Sequence, residues 1–208
     1  MRIEHLASAP DRAGRYLVKF DNGQTMRLYR QTLEDFTLYT GLELTEEQME
    51  KLRAAAGQMS AKMRAIRIVS ASSVSKKDLQ HRLIQKGEDP QQAMEAVNWM
   101  SDLSLIDDRE TARQVVDRCV RKGYGLARAK QALYEKRIPK EYWEEALSDY
   151  PQQLEVIGDY LKAHLDAESD MKEIKKAVDA LIRRGHSYGT IRRVLNTLSF
   201  DTEQFPEE

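Results

Sequence analysis

The chain has 208 residues, 41% hydrophobic and 32% charged, with 33 Lys/Arg against 34 Asp/Glu and a net charge of −1. That balance argues against a protein committed as a whole to a polyanion, and the high charged fraction suits many thin amphipathic helices better than one thick core. The single cysteine, Cys119, excludes an internal disulfide framework, and neither a membrane span nor an apolar signal region is present, so the chain reads as cytoplasmic and soluble with no membrane partner; a monomer is expected, though composition does not fix the oligomeric state.

At the N-terminus, RYLVKF (15–20) and TMRLYR (25–30) alternate around the turn DNGQ and predict a β-hairpin. MRIEHLA ahead of it is a candidate third strand. A lone hairpin is marginal in water, so residues 1–44 are expected to pack on the helices that follow. Thr45 and Gln48 have the pattern of a capping box at the start of a long helix. There Met49, Leu52, Ala56, Met59, Met63 and Ile66 form one apolar stripe, read as a core-facing seam rather than a methionine-rich binding groove.

Every later segment reads as helix. Ala112, Val115, Val116, Cys119 and Val120 recur at i, i+3, i+4, i+7 and i+8 over 109–122, as do Ile174, Ala177, Val178, Leu181 and Ile182 over 171–184. Leu154, Ile157, Leu161 and Leu165 mark a helix over 152–165. Ile191, Val194, Leu195 and Leu198 mark a last one, with Ser187 as its N-cap. Residues 82–97, 132–147 and 180–195 align without gaps, placing Leu83, Leu133 and Leu181 together, and Lys86, Lys136 and Arg184. A helix precedes each segment, so a helix–helix–turn–helix unit repeats three times, and neighbouring units must share apolar faces.

The predicted fold is therefore mainly α: a small N-terminal β-hairpin unit (1–44), then three tandem three-helix repeats (45–106, 107–150 and 151–208) in an elongated, curved array. The last repeat ends in an acidic tail, DTEQFPEE. Trp99 and Trp143 are expected to anchor the core between repeats.

Signals for catalysis are poor. His5, His81, His164 and His186 show no metal-ligand spacing with one another or with Cys119, and His164 and His186 read as polar-face or turn residues. Phosphate loops and nucleophile elbows are missing. Asp107-Asp108 reads as a helix start with Asp108 the cap, and Cys119 as a small core residue. No catalytic residue, metal or cofactor is expected, and the chain does not read as an enzyme.

The cations are more informative. Asp108 to Lys140 holds ten Lys/Arg against four Asp/Glu. Arg113, Asp117 and Arg121 are spaced to pair along one helix face, whereas Arg118 and Lys122 have no acid at that spacing. Gly123 and Gly125 let one helix stop and the next start within a few residues, and Arg128 and Lys130 follow near the new N-terminus, where an anion is favoured. Lys136-Arg137, Arg183-Arg184 and Arg192-Arg193 recur near equivalent repeat positions. Two readings stand at this point: a phosphate-facing surface, and a solvated face with a glycine cap. Few aromatics lie among these cations, so base stacking is not indicated.

The run LSLIDDRETARQVVDRCVRKGYGLARAKQALYEKRIPKE resembles the RecX family of recombinase regulators. Ile106, Asp107, Asp108 and Ala112 match the family's I-D-D-x-x-[YF]-A segment. Arg118, Lys122, Gly123 and Gly125 match its basic K-x-G segment, and Leu133, Lys136 and Ile138 its L-x-x-K-G-[IV] segment. In the first repeat, Leu79, Leu83, Lys86 and Gly87 match L-x-x-K-L-x-x-K-G. Ser104 and Leu105 replace a Gly-aromatic pair, Thr111 an aromatic, and Arg137 a glycine.

The resemblance implies a non-enzymatic protein of recombination, DNA repair and the SOS response. It would bind along the groove of the RecA–DNA filament, contact single-stranded or duplex DNA, and depress RecA ATPase, strand exchange and coprotease activity. The surface expected to face that polymer is Arg118, Arg121, Lys122, Arg128, Lys130, Lys136, Arg137, Arg183, Arg184, Arg192 and Arg193. The alternative is a helical-repeat nucleic-acid-binding protein without a recombinase partner.

Overall fold

The computed structural model describes residues 1–166 and 168–198, so the acidic tail lies outside the described residues. The chain divides into two compact units. Unit 1 is Met1–Ser72 with Lys76–Ile106, and unit 2 is Ser73–Ser75 with Asp107–Glu208.

Unit 1 opens with a three-stranded antiparallel sheet in the order β1 (Ile3–Leu6), β2 (Arg15–Phe20), β3 (Thr25–Tyr29). The candidate third strand is present, pairing Ile3 with Phe20 and Leu6 with Val18. Along β2, Val18 and Phe20 are buried and Lys19 between them is exposed, the period-2 alternation of a half-buried sheet. The Asn-Gly signal works through Gly23 alone: its φ is +80°, its N–H donates to Phe20 O at 3.0 Å, and Phe20 N–H donates to Gln24 O. This is a type I turn closed by a left-handed glycine.

After the short α1 (Arg30–Asp35) comes α2 (Glu46–Ala71), opened by the expected capping box of Thr45 and Gln48. Met49 and Leu52 join Ile3, Val18, Phe20 and Leu28 in one core, so the sheet rests on the first turns of this helix. Beyond Ala56 the expected stripe fails. Met59, Met63 and Ile66 are only half-buried, and Ala61 and Ala65 are the fully buried positions. The cause is α4 (Pro90–Asp102), which follows α3 (Lys76–Gln85) and packs on α2. Its buried face begins small (Ala93, Ala96) before Val97 and Met100, and a Cβ on Gly57 would lie 2.3 Å from the Gln92 side chain. Close backbone approach, rather than bulk, selects the buried residues here.

Unit 2 holds two more three-helix repeats. The first is α5 (Asp108–Arg121), α6 (Leu126–Glu135), a 3-10 turn (Lys140–Tyr142) and the short α7 (Trp143–Leu147). The second is α8 (Leu154–His164), α9 (Met171–Arg183) and α10 (Tyr188–Thr197), with Ser187 capping α10 through Thr190 N–H. Leu83, Leu133 and Leu181, aligned by the repeat, are all fully buried, each worth about 1.5–3 kcal/mol by transfer. Within the expected helical faces, Leu154 and Ile182 instead stand 42% and 45% exposed.

Two expectations need correction. Asp107, not Asp108, is the N-cap of α5. Its carboxylate accepts from Arg109 N–H at 2.8 Å and Glu110 N–H at 3.2 Å, which leaves Asp108 buried as the first helical residue. The tryptophans serve their own repeats. Trp143 packs against the Ala112, Val115 and Leu133 core and donates Nε1–H to Ile138 O, while Trp99 is half-buried under the Lys62 ammonium.

Candidate functional site

The corner between α5 and α6 is built by a helix stop that the residue order dictates. Gly123 follows the C-cap with φ +66°, its N–H donating to Val120 O and Tyr124 N–H to Cys119 O. These are the paired bonds of a Schellman motif. The same motif ends α9, where Gly185 has φ +91° and His186 N–H reaches Leu181 O.

The two corners meet within unit 2. Gly125 N–H donates to Arg184 O at 2.9 Å and Ala127 N–H to Gly185 O at 3.1 Å. His186, in a turn as expected but buried rather than solvated, meets Gly123 O through Nε2 at 3.1 Å. Burial pushes its imidazole below the usual histidine range. A Cβ on Gly125 would lie 2.0 Å from Gly185 O, and one on Gly185 2.3 Å from Arg128 N. The two glycines interrupt the basic run for different reasons: Gly123 supplies the positive φ of the helix stop, and a second backbone packs directly on Gly125. Tyr150 and Gln153 reinforce the corner, donating to Tyr124 O at 2.6 Å and Val120 O at 3.0 Å. Burial raises the Tyr150 phenol to about 12.

This packing sorts the expected cations. Arg128, Lys122 and Arg118 all act on the thiol of Cys119, opposing the burial that pushes it up, so three of them converge at this corner. Arg184 joins through its backbone bond to Gly125, and its guanidinium lies 4.7 Å from the Tyr160 ring centroid. Among the described residues, Arg118, Arg121, Lys122, Lys130 and Arg183 have no carboxylate partner, and all five are exposed. Arg128 is partly neutralised by Glu135 at 2.9 Å, and that carboxyl is held below its ordinary range by Arg128 and Gln131.

Other expected members lie elsewhere. Lys136 and Arg137 follow the far end of α6, about 15 Å along a ten-residue helix from Gly125. Lys136 Nζ points to Ser73 O at 3.4 Å. Arg193 donates to Gln152 Oε1 at 3.1 Å, and Arg192 is half-buried on α10. Arg113 does not pair along its own helix. It reaches Glu145 of α7 at 2.6 Å, beside Arg109 at 3.0 Å.

Sequence reading missed a second group of cations, in unit 1, drawn from β2, α2 and α3. Its only local signals are the spacings Arg64–Arg67 and Arg82–Lys86. Among the described residues no group of three or more metal-ligating side chains gathers, and no helix is long and apolar enough to cross a membrane.

The RecX second three-helix domain matches residues 107–147, which span α5 to α7. The regulatory protein RecX of Clostridioides difficile is 28% identical over 208 residues, covering 96% of both chains. That of Vibrio parahaemolyticus is 30% identical over 148 residues, covering 70% of this chain and 94% of that protein. A crystal structure of regulatory protein RecX shares the fold with a TM-score of 0.64 at 21% identity, over 94% of this chain and 98% of that one. The three-helix repeats, the glycine-stopped basic helix and a 30% identity that spans nearly the whole of the Vibrio protein have one explanation: this chain belongs to the RecX family.

Proposed function

We propose that the chain binds in the groove of the RecA–DNA filament and depresses RecA ATPase, strand exchange and coprotease activity, with no catalysis of its own. Its relatives are named regulatory proteins. The observation that carries the reading is the cation cluster at the α5–α6 corner, where Arg118, Arg121 and Lys122 have no carboxylate partner among the described residues. Cations already paired with carboxylates gain little from a phosphate, whereas unpaired ones release counterions when they meet it.

The test is the DNA-dependent ATPase of preformed RecA filaments, titrated with the protein. The expected result is a fall at concentrations well below those that coat naked DNA. Replacing Arg118, Arg121 and Lys122 together by Glu should abolish that fall while helicity by circular dichroism is retained. On duplex DNA the salt slope of log K should drop by up to about 2.7, at about 0.9 per lost phosphate contact. An unchanged ATPase beside salt-sensitive DNA binding would replace this reading by a helical-repeat nucleic-acid binder without a recombinase partner.

A further inference from the structure

Unit 1 contains an open groove of about 580 Å³ lined by Arg15, Arg64, Arg67, Arg82 and Lys86, with no acidic residue in its lining among the described residues. The volume falls in the range of ligand clefts, and its cations come from three elements that the fold brings together. Three of the five have carboxylate partners: Arg15 with Asp11 at 2.8 Å, Arg64 with Glu88 at 2.8 Å and Arg82 with Asp78 at 2.9 Å. Glu88 and Asp78 are buried, so they fix two guanidinium groups in position from behind.

The other two cations give the groove its excess charge. Among the described residues Arg67 donates to two neutral oxygens, Ala13 O at 2.6 Å and Tyr29 Oη at 3.3 Å, bonds that tie α2 to β3 and orient the guanidinium. Lys86 is exposed, and its ammonium has no hydrogen bond or ion pair among the described residues. An oriented guanidinium beside a free ammonium is a phosphate-binding pair: the first supplies directional donors, the second a mobile charge.

The apolar lining decides between polyanions. Besides the cations and Ser72, its described lining offers Ala13, Ile68 and Ala71, with none of the aromatic anchors that concentrate energy in protein interfaces. Aromatic rings for stacking bases are missing too. What remains is suited to a charged backbone read without regard to sequence.

We propose that this groove binds the phosphodiester backbone of nucleic acid, as a contact separate from the cation cluster of unit 2. The inference rests on nucleic acid being a ligand of this chain, which is part of the proposed function. Its experiment uses DNA alone, so the two can fail separately.

The full-length protein is titrated into a fluorescein-labelled oligothymidylate of about 30 nucleotides, longer than a typical single-strand site, with anisotropy read between about 50 and 200 mM salt. Lys86→Gln is the clean variant, since the ammonium makes no hydrogen bond or ion pair with a described residue, and it should lower the salt slope by about 0.7. Arg67→Gln with Lys86→Gln should lower it by about 1.4 and weaken binding about 25-fold at 0.1 M salt. Circular dichroism establishes that both variants are folded.

If both bind with the affinity and slope of the parent while the Arg118/Arg121/Lys122 variant does not, the groove proposal is overturned and the unit 2 reading stands. If the double variant keeps its DNA binding but no longer inhibits RecA, the groove faces an acidic protein surface, which also overturns it. A protein without effect on RecA whose salt slope still falls with Lys86→Gln would sink the proposed function and leave the groove.

Discussion

Gly125→Ala isolates the close contact on which unit 2 depends. The backbone there, φ −77° and ψ 167°, is open to any residue, so alanine brings no torsional strain of its own. The added methyl would lie 2.0 Å from Gly185 O and 2.2 Å from His186 N, both backbone atoms that cannot rotate aside. The two corners must separate, and three bonds go with them: Gly125 N–H to Arg184 O, Ala127 N–H to Gly185 O, and His186 Nε2 to Gly123 O. At about 1 kcal/mol net for each bond, the loss is about 3 kcal/mol, a large part of a domain's usual 5–15 kcal/mol, roughly speaking. Gly189→Ala is the control. Gly189 lies in α10 with nothing within 4 Å of the added Cβ, so the variant should gain about 0.5–1 kcal/mol from helix propensity. Urea unfolding followed by Trp143 fluorescence in a Trp99→Phe background reports on unit 2. A Gly125→Ala midpoint equal to the parent's, alongside the expected gain for Gly189→Ala, would refute the packing account of these glycines.

Two further outcomes are expected. Arg137 has φ +54° at the position that Gly87 and Gly185 occupy in the other repeats, at +87° and +91°. A non-glycine residue there costs about 1–2 kcal/mol, part of which a glycine returns through the freer unfolded chain. Arg137→Gly should therefore raise stability by about 0.5–1 kcal/mol in urea unfolding, and an unchanged or lower midpoint would count against that strain. His186, lowered by burial, should make unit 2 less stable in mild acid. Its contribution is complete above the unfolded pKa near 6.5, and is lost as pH falls from there toward the lower folded value, because the unfolded chain takes up the proton first. Comparing urea midpoints at about pH 7.5 and about pH 5.5, His186→Gln should show a smaller drop than the parent; equal drops would place the titration on another group.

Much of the fold was legible because its signals are local. The capping box at Thr45, the N-cap at Ser187 and the Leu83–Leu133–Leu181 register each depend on residues a few positions apart, or on a period repeated three times. Local reading fails where a distant partner decides. Ala61 and Ala65 outrank larger neighbours because α4 comes close, and Arg113 leaves Asp117 for Glu145 because α7 folds back beside it.

The candidate surfaces divide along the same line. A basic run such as Arg118 to Lys130 is visible as a run, but which of its cations stay unpaired is set by Glu135 and by the corner at Gly185. The unit 1 groove is not a run at all: Arg15 stands 49 positions from Arg64 and 71 from Lys86, and only the sheet's seat on α2 brings them into one lining. Charge that is dispersed in sequence but concentrated by folding leaves a net charge of −1 uninformative about binding. What matters electrostatically is which cations the fold leaves without carboxylates; Arg118, Arg121, Arg183 and Lys86 among them lie in or just after the last turn of a helix, where the partial negative charge of the helix end favours them. That placement lets unpaired cations remain on the folded protein without a partner while staying available to a phosphate.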